Sequence, residues 1–352
     1  MKFLHISDLH IGSPMTTHLA PKQVTERTQE IIETFERSVK FSVEKGVDAV
    51  LIAGDLFDNS EIGPRKLARV REVIRSNRNI PFFYVSGNHE GQAFEATGAT
   101  LENFYTFTDT FSYYDLGDVR IHGANKTAPD MFSSLKIDRE KKNIVLLHGE
   151  WGDHSNADGT IGLREVEGLG VDYLALGHYH SFDTREIRGG GIAVYSGTPE
   201  GRGFDEAGEK GVVIFDSINC KPQFYPMCKR TIHVIEVNTK GAKSEEEVID
   251  RANEAIRGIP SSDLVQMIMV GELDTTISLG EEFFTSLYKS KFWYFDWKNK
   301  TKIAIYPEDL KHDRSIQGEF IRQVIADKTL SEEDIRDIIE CGILAMKGVE
   351  WK

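Results

Sequence analysis

Five short stretches of this 352-residue chain carry side chains able to bind and polarise a phosphate ester. They are Asp8-Leu9-His10, Gly54-Asp55-Leu56-Phe57-Asp58, Gly87-Asn88-His89-Glu90, His148-Gly149 and Gly177-His178-Tyr179-His180. Together they offer imidazole nitrogens, carboxylate oxygens and a side-chain amide but no thiolate, a donor set that suits borderline divalent ions such as Mn, Fe or Zn. The donors are too many for one ion and enough for two. A carboxylate shared by two ions holds them roughly 3.5–4 Å apart, a spacing that clamps the attacking and leaving oxygens of a phosphoryl displacement. Two dications outweigh the charges of Asp8 and Asp55 even with a hydroxide between them, so a phosphodiester is attracted locally.

Each stretch closes an apolar, β-rich run: Phe3-Leu4-His5-Ile6, Ala49-Val50-Leu51-Ile52-Ala53, Phe82-Phe83-Tyr84-Val85, Ile144-Val145-Leu146-Leu147 and Tyr173-Leu174-Ala175-Leu176. In open α/β sheets, ligands bind outside the carboxyl ends of strands, so five such ends can converge on one crevice. Between the early runs the periodicity is helical. Ile31, Ile32, Phe35, Val39 and Val43 recur at spacings of three and four within residues 24–44, and a second amphipathic helix around Leu67, Val70 and Ile74 starts at Pro64. Alternating strand and helix predict an α/β (α+β layered) domain. Strands separated by glycine-rich turns over 113–124 and 192–215 make its sheets mixed. A boundary is expected near residue 229. Beyond it come a strand at 231–237, a helix opened by Ser244 and Glu247 as a capping box, a strand at 264–270, and two helices beginning at Gln317 and Ser331.

The five motifs, in this order, resemble the calcineurin-like metallophosphoesterase superfamily. The resemblance implies a two-sheet sandwich flanked by helices in residues 1–229, a small α+β C-terminal cap in 230–316, and a C-terminal helix pair in 317–352. It implies that Asp8, His10, Asp55 and His180 hold one metal, and that Asp55, Asn88, His148 and His178 hold the other, with Asp55 bridging. His89 would protonate the leaving oxygen or stabilise charge in the transition state, with Asp58 orienting it. Within the superfamily, protein phosphatases carry an Arg where this chain has Asn59. Asp55-Leu56-Phe57-Asp58, Tyr195-Ser196-Gly197-Thr198-Pro199-Glu200, Phe204-Asp205-Glu206 and Glu209-Lys210-Gly211 instead resemble SbcD-like DNA repair exonucleases. Glu90 departs from that subgroup, which more often carries Asp there. The SbcD-like resemblance implies a homodimeric nuclease acting on DNA with an SbcC-like coiled-coil ATPase, and Mn as the favoured metal over Fe or Zn. The rival enzyme is a small-molecule phosphodiesterase or nucleotidase. A scaffold without chemistry would be expected to lack ligands, and none is missing.

The rest of the sequence bounds this reading. With 42 basic and 56 acidic residues the net charge is -14, which argues against coating nucleic acid by bulk electrostatics but not against a nuclease with a local positive site. Three cysteines give no disulfide framework, and neither a secretory signal nor a membrane-spanning run is recognised. A cytoplasmic protein with no membrane association is therefore expected. Two basic segments invite a DNA reading: Lys289, Lys291, Lys298, Lys300 and Lys302 interleaved with Phe292, Trp293, Tyr294, Phe295 and Trp297, and the arginines from Arg65 to Arg78. For each, the alternative is a core element with a solvated face, and for Leu67, Val70 and Ile74 the choice is core or dimer interface. His5 is expected in the core, whereas His18 and His154 are possible substrate neighbours.

Overall fold

The computed structural model describes residues 1–15, 19–58, 62–89, 101–155, 157–274, 277–304 and 314–346. His18, Asn59, Glu90 and His312 lie outside these residues. The chain forms two compact units, Met1–Ile232 and His233–Lys352.

The first unit contains, in chain order, β1 (Lys2–Ile6), α1 (Pro21–Glu44), β2 (Ala49–Ala53), α2 (Pro64–Ser76), β3 (Phe82–Val85), β4 (Phe104–Thr106), β5 (Ser112–Leu116), β6 (Val119–Gly123) and β7 (Lys142–His148). It continues with β8 (Glu150–Gly152), β9 (Thr160–Gly162), the single turn α3 (Leu163–Val166), β10 (Tyr173–Gly177), β11 (Asp183–Glu186), β12 (Ile192–Tyr195), β13 (Gly211–Asp216) and β14 (Gln223–Pro226). One six-stranded sheet runs β14-β13-β1-β2-β3-β4 and the other β11-β12-β10-β7-β6-β5. The central strands β1, β2 and β3 are mutually parallel, as are β7, β10 and β12, while β13 and β11 add antiparallel neighbours.

Continuous apolar runs form these central strands because both faces are covered. Alternate residues point to opposite faces. In β1 and β2, Phe3, Ala49 and Leu51 pack between the sheets against Ile144, Leu146 and Tyr173. Leu4, Ile6, Val50 and Ile52 face outward onto Ile31, Phe35 and Val39 of α1 and Val70 and Ile74 of α2. Leu67 packs against the same cluster, so the apolar face of α2 is core. The second sheet covers its outer face likewise, with Val145, Leu147, Leu174 and Leu176 packed on Leu163 and Val166 of α3. His5 lies in the inter-sheet layer, its ring nitrogens each 3.1 Å from the Tyr173 hydroxyl and the Leu176 carbonyl. Burial pulls its pKa down to about 3 and keeps it neutral.

The second unit contains β15 (Ile232–Asn238, its first residue closing the first unit), α4 (Glu245–Ala255), β16 (Leu264–Val270), β17 (Glu272–Leu273), α5 (Glu281–Tyr288), β18 (Tyr294–Asn299), β19 (Lys302–Ile303), α6 (Ile316–Ala326) and α7 (Glu332–Met346). Strands β15, β16 and β18 form a three-stranded sheet. The Ser244 hydroxyl accepts the Glu247 N–H and caps α4, as the sequence pattern requires. Phe292, Phe295 and Trp297 are buried, with Trp297 stacked on Phe284 at 4.5 Å, whereas Lys298 and Lys300 are exposed. Phe292, Phe295 and Trp297 of this basic segment are therefore hydrophobic core, while Trp293 and Tyr294 are half-buried. Among the described residues no helix is long and apolar enough to cross a membrane.

Candidate metal centre

Sequence-distant carboxyl ends are tied together by hydrogen bonds that cross from strand to strand and from sheet to sheet. Beyond β1, the Asp8 amide donates to the Gly54 carbonyl at 3.1 Å and the His10 amide to the Asp55 carbonyl at 2.9 Å. The second sheet joins through His148, whose Nδ1 lies 2.9 Å from the Ala53 carbonyl. It joins again through the His178 amide, which donates to both oxygens of Asp8 at 2.9 and 3.1 Å.

This geometry requires uncommon backbone. Of the six non-glycine residues with positive φ among those described, four are Asp8 (52°), His10 (46°), Asp55 (49°) and His178 (105°). Non-glycine residues in this region cost of order 1–3 kcal/mol each and cluster at functional sites. Two glycines give the room. A Cβ at Gly54 would collide with His148 Nδ1, and one at Gly87 with Asp55 Oδ1.

Three groups of side chains result. One ligand atom from each of Asp8, His10 and His180 lies within 4.8 Å of the others, and the same holds for Asp8, Asp55 and His148, and for His10, Asp58 and His89. Asp55 stands between them, with Oδ2 3.6 Å from His10 Nε2 and 3.3 Å from His148 Nε2. His89 is exposed, its amide donating to Asp55 Oδ1 at 3.1 Å and its ring edge-on to His10 at 5.1 Å. Asn88, also exposed, sits in the chain between Gly87 and that anchored amide. The ring of His178 is exposed and lies 5.5 Å from that of His148, outside the three groups; its backbone is the anchored part.

Asp58 Oδ1 is 3.1 Å from His10 Nδ1 and accepts from Arg202 Nη1 at 3.3 Å. Its amide donates to the Ile11 carbonyl at 3.3 Å, and a carboxylate oxygen lies within 4.8 Å of a His89 ring nitrogen.

The imidazoles are oriented alike. His10, His148 and His180 each turn Nδ1 to an acceptor: the Asp58 carboxylate, the Ala53 carbonyl, and Glu206 Oε1 at 2.7 Å. Rings held this way present Nε2 inward, the usual second-layer support of metal-binding histidines. Nε2 of His10 and His180 are 3.3 Å apart. Nε2 of His148 is buried without a hydrogen-bond partner, its 3.3 Å approach to Asp55 being off the hydrogen-bonding line. An orphaned inward nitrogen beside two buried carboxylates fits a dication.

Electrostatics agree. Burial pushes the Asp8 pKa up. Burial also pushes at Asp55, but His148, His10 and the His89 amide prevail and hold it at about 2. Burial would lower His148, yet Asp55 and Asp8 draw positive charge onto it and raise it to about 9. Burial, then the Arg202 charge, lowers His10 to about 3, so its ring is neutral at physiological pH.

The family model for calcineurin-like phosphoesterases matches residues 1–182, more than half the chain. The chain belongs to this family. Among curated relatives, the DNA double-strand break repair protein Mre11 of Sulfurisphaera tokodaii is 25% identical over 96% of this chain and 92% of its own length. The Mre11 of Sulfolobus acidocaldarius is 24% identical over 93% of this chain and 90% of its own. An uncharacterized metallophosphoesterase of Bacillus subtilis, YhaO, is 24% identical over 62% of this chain and 58% of its own.

Supports to which the sequence reading gave no role lie behind the site. Arg202 clamps Asp58 and Glu206. Burial would raise the Glu206 carboxyl, but His180 and Arg202 hold it well below the usual range. The fully buried Arg27 of α1 donates to Glu200 at 2.9 Å and also to Glu30 and the Gly201 carbonyl, and Thr34 donates to Glu200 at 2.7 Å. Polar residues on the inner face of α1, at Arg27, Glu30 and Thr34, were the available signal.

Proposed function

We propose that the protein is a two-metal phosphodiester hydrolase acting on DNA, the nuclease subunit of an SbcCD-like repair complex. The observation that carries this is the inward set of Nε2 atoms from His10, His148 and His180 around Asp8 and Asp55. The DNA assignment is supported by Mre11 relatives aligned over nearly the whole chain, including the second unit. In this reading Asp8, His10, Asp55 and His180 hold one ion, and Asp55, Asn88, His148 and His178 the other. A mixed nitrogen and oxygen, thiolate-free donor set suits Mn, Fe or Zn, and the SbcD-like resemblance favours Mn among them. When bound, the ions supply Lewis acidity that acidifies water and offsets charge on the phosphoryl group.

The chain's own residues do the rest. His89, exposed beside the cluster, gives a proton to the leaving oxygen. Asp58 holds the His10 ring, Glu206 that of His180, and the Ala53 carbonyl that of His148. Residues 1–229 form the nuclease domain, 230–316 a cap that limits which DNA ends reach the site, and 317–352 a helix pair that docks a coiled-coil ATPase. The protein works as a homodimer in the cytoplasm.

The test is to incubate metal-stripped protein, with and without added Mn, with linear duplex DNA, a cyclic nucleotide and a chromogenic phosphodiester. Mn-dependent cleavage of DNA is expected. Cleavage of the small esters but never of DNA would overturn the DNA assignment in favour of a nucleotidase. Capture of the protein by a coiled-coil ATPase, abolished by deleting residues 317–352, is the expected partner result.

A further inference from the structure

Arg202 lies in the loop after β12, with its side chain 19% exposed, and it touches two carboxylates at once. Nη1 donates to Asp58 Oδ1 at 3.3 Å, and Nη2 and Nε donate to Glu206 Oε1 at 2.6 and 3.1 Å. Its own amide donates to the other oxygen, Glu206 Oε2, at 2.7 Å. The same two carboxylates receive Nδ1 of His10 and of His180. One guanidinium thus spans the supports of two imidazoles whose Nε2 atoms meet at 3.3 Å. The loop itself is pinned from behind, since Arg27 holds Gly201 and Glu200.

A cationic group so near a proposed cation site needs a reason, because its charge opposes metal uptake. Asp58 and Glu206 supply it. A carboxylate beside a dication competes to become a direct ligand, and because carboxylate oxygen suits Mg, Ca and Mn alike, each oxygen that displaces an imidazole nitrogen erodes discrimination against Mg. Charge-assisted hydrogen bonds from Arg202 occupy those oxygens and keep them turned to the imidazoles. Lysine cannot substitute fully, since a single ammonium lacks the planar fork that reaches both carboxylates.

We propose that Arg202 is a positioning residue that sets metal selectivity, holding Asp58 and Glu206 outside the coordination sphere so that His10 and His180 bind through nitrogen. This rests on the two-metal reading above. The test titrates metal-stripped wild type, Arg202→Met and Arg202→Lys with Mn, following free Mn by electron paramagnetic resonance, and repeats the titration with Mg as competitor. Wild type takes up two Mn ions. Arg202→Met weakens one of them about 10–100-fold, the usual consequence of losing an outer support, while Mg competes more effectively than against wild type; an unchanged preference for Mn over Mg overturns the selectivity claim. Arg202→Lys falls between the two. Mn binding by Arg202→Met within twofold of wild type, or tighter, overturns the inference and leaves the metal reading standing. Should Arg202→Met lose its folded circular dichroism, Arg202→Lys decides: wild-type affinities overturn the proposal, and selective weakening of one Mn supports it. Wild type that binds no Mn removes the two-metal reading, and this inference with it.

Discussion

The strand ends of the first unit and the strand β18 of the second hold comparable stores of chemistry-bearing side chains and use them in opposite ways. At the ends of β1, β2 and β10, Asp8, His10, Asp55 and His178 sit in left-handed backbone, with Asp8, His10 and Asp55 almost fully buried. In β18 and its flanks the backbone is ordinary, Phe292, Phe295 and Trp297 are packed, and Lys298 and Lys300 face solvent. Strain and buried charge mark the place where a fold has accepted a cost for chemistry; a basic aromatic segment without either is a hydrophobic strand with solubilising lysines.

Breaking the first half of this contrast has the largest expected effect. Asp55→Asn removes the carboxylate between His10 and His148. Hydrolysis by the Mn-loaded protein should fall about 10⁴-fold or more, beyond the 10²–10³ of losing one stabilising donor, as measured by initial rates on DNA. His89→Leu should cost about 10²–10⁴ in kcat, the usual share of a general acid. On the proposed assignment His89 holds no ion, so Mn uptake should stay intact; a loss of Mn stoichiometry would reassign it as a ligand.

The second half is sharpened by Trp297→Ala. Core truncation of this kind costs about 3–5 kcal/mol, visible as a lower denaturant midpoint for the second unit. Unchanged stability with weakened DNA binding would make the segment a stacking platform instead. Smallest of all, Lys300→Ala should change stability by no more than about 0.5 kcal/mol, as exposed substitutions do, checked in the same denaturation series.

Legibility from sequence followed the same divide. The central strands were readable because both faces are buried, so runs such as Ala49–Ala53 are uniformly apolar. Pro64 and Ser244 announced helix starts that the structure keeps. Donor residues at strand ends could be read because a fold topology carries them to one edge. Their supports could not. Arg202 meets Asp58 across 144 positions, and Arg27 meets Glu200 across 173. No local pattern encodes which of several acids such an arginine will choose. Asp58 shows the same limit: its place in the motif was clear, but its hydrogen bonds to His10 and Arg202 depend on loop geometry. Lys289–Lys302 was ambiguous because alternating aromatic and basic residues describe a half-buried strand as well as a binding groove.

The central claim is that two cations sit side by side where β1, β2, β3, β7 and β10 end. Anomalous diffraction from crystals of the protein grown with Mn tests it most directly. The account predicts two adjacent Mn peaks, one against Nε2 of His10 and His180, the other against Nε2 of His148, with Asp55 touching both. An empty pocket, or a single peak that leaves His148 Nε2 unliganded, would contradict it.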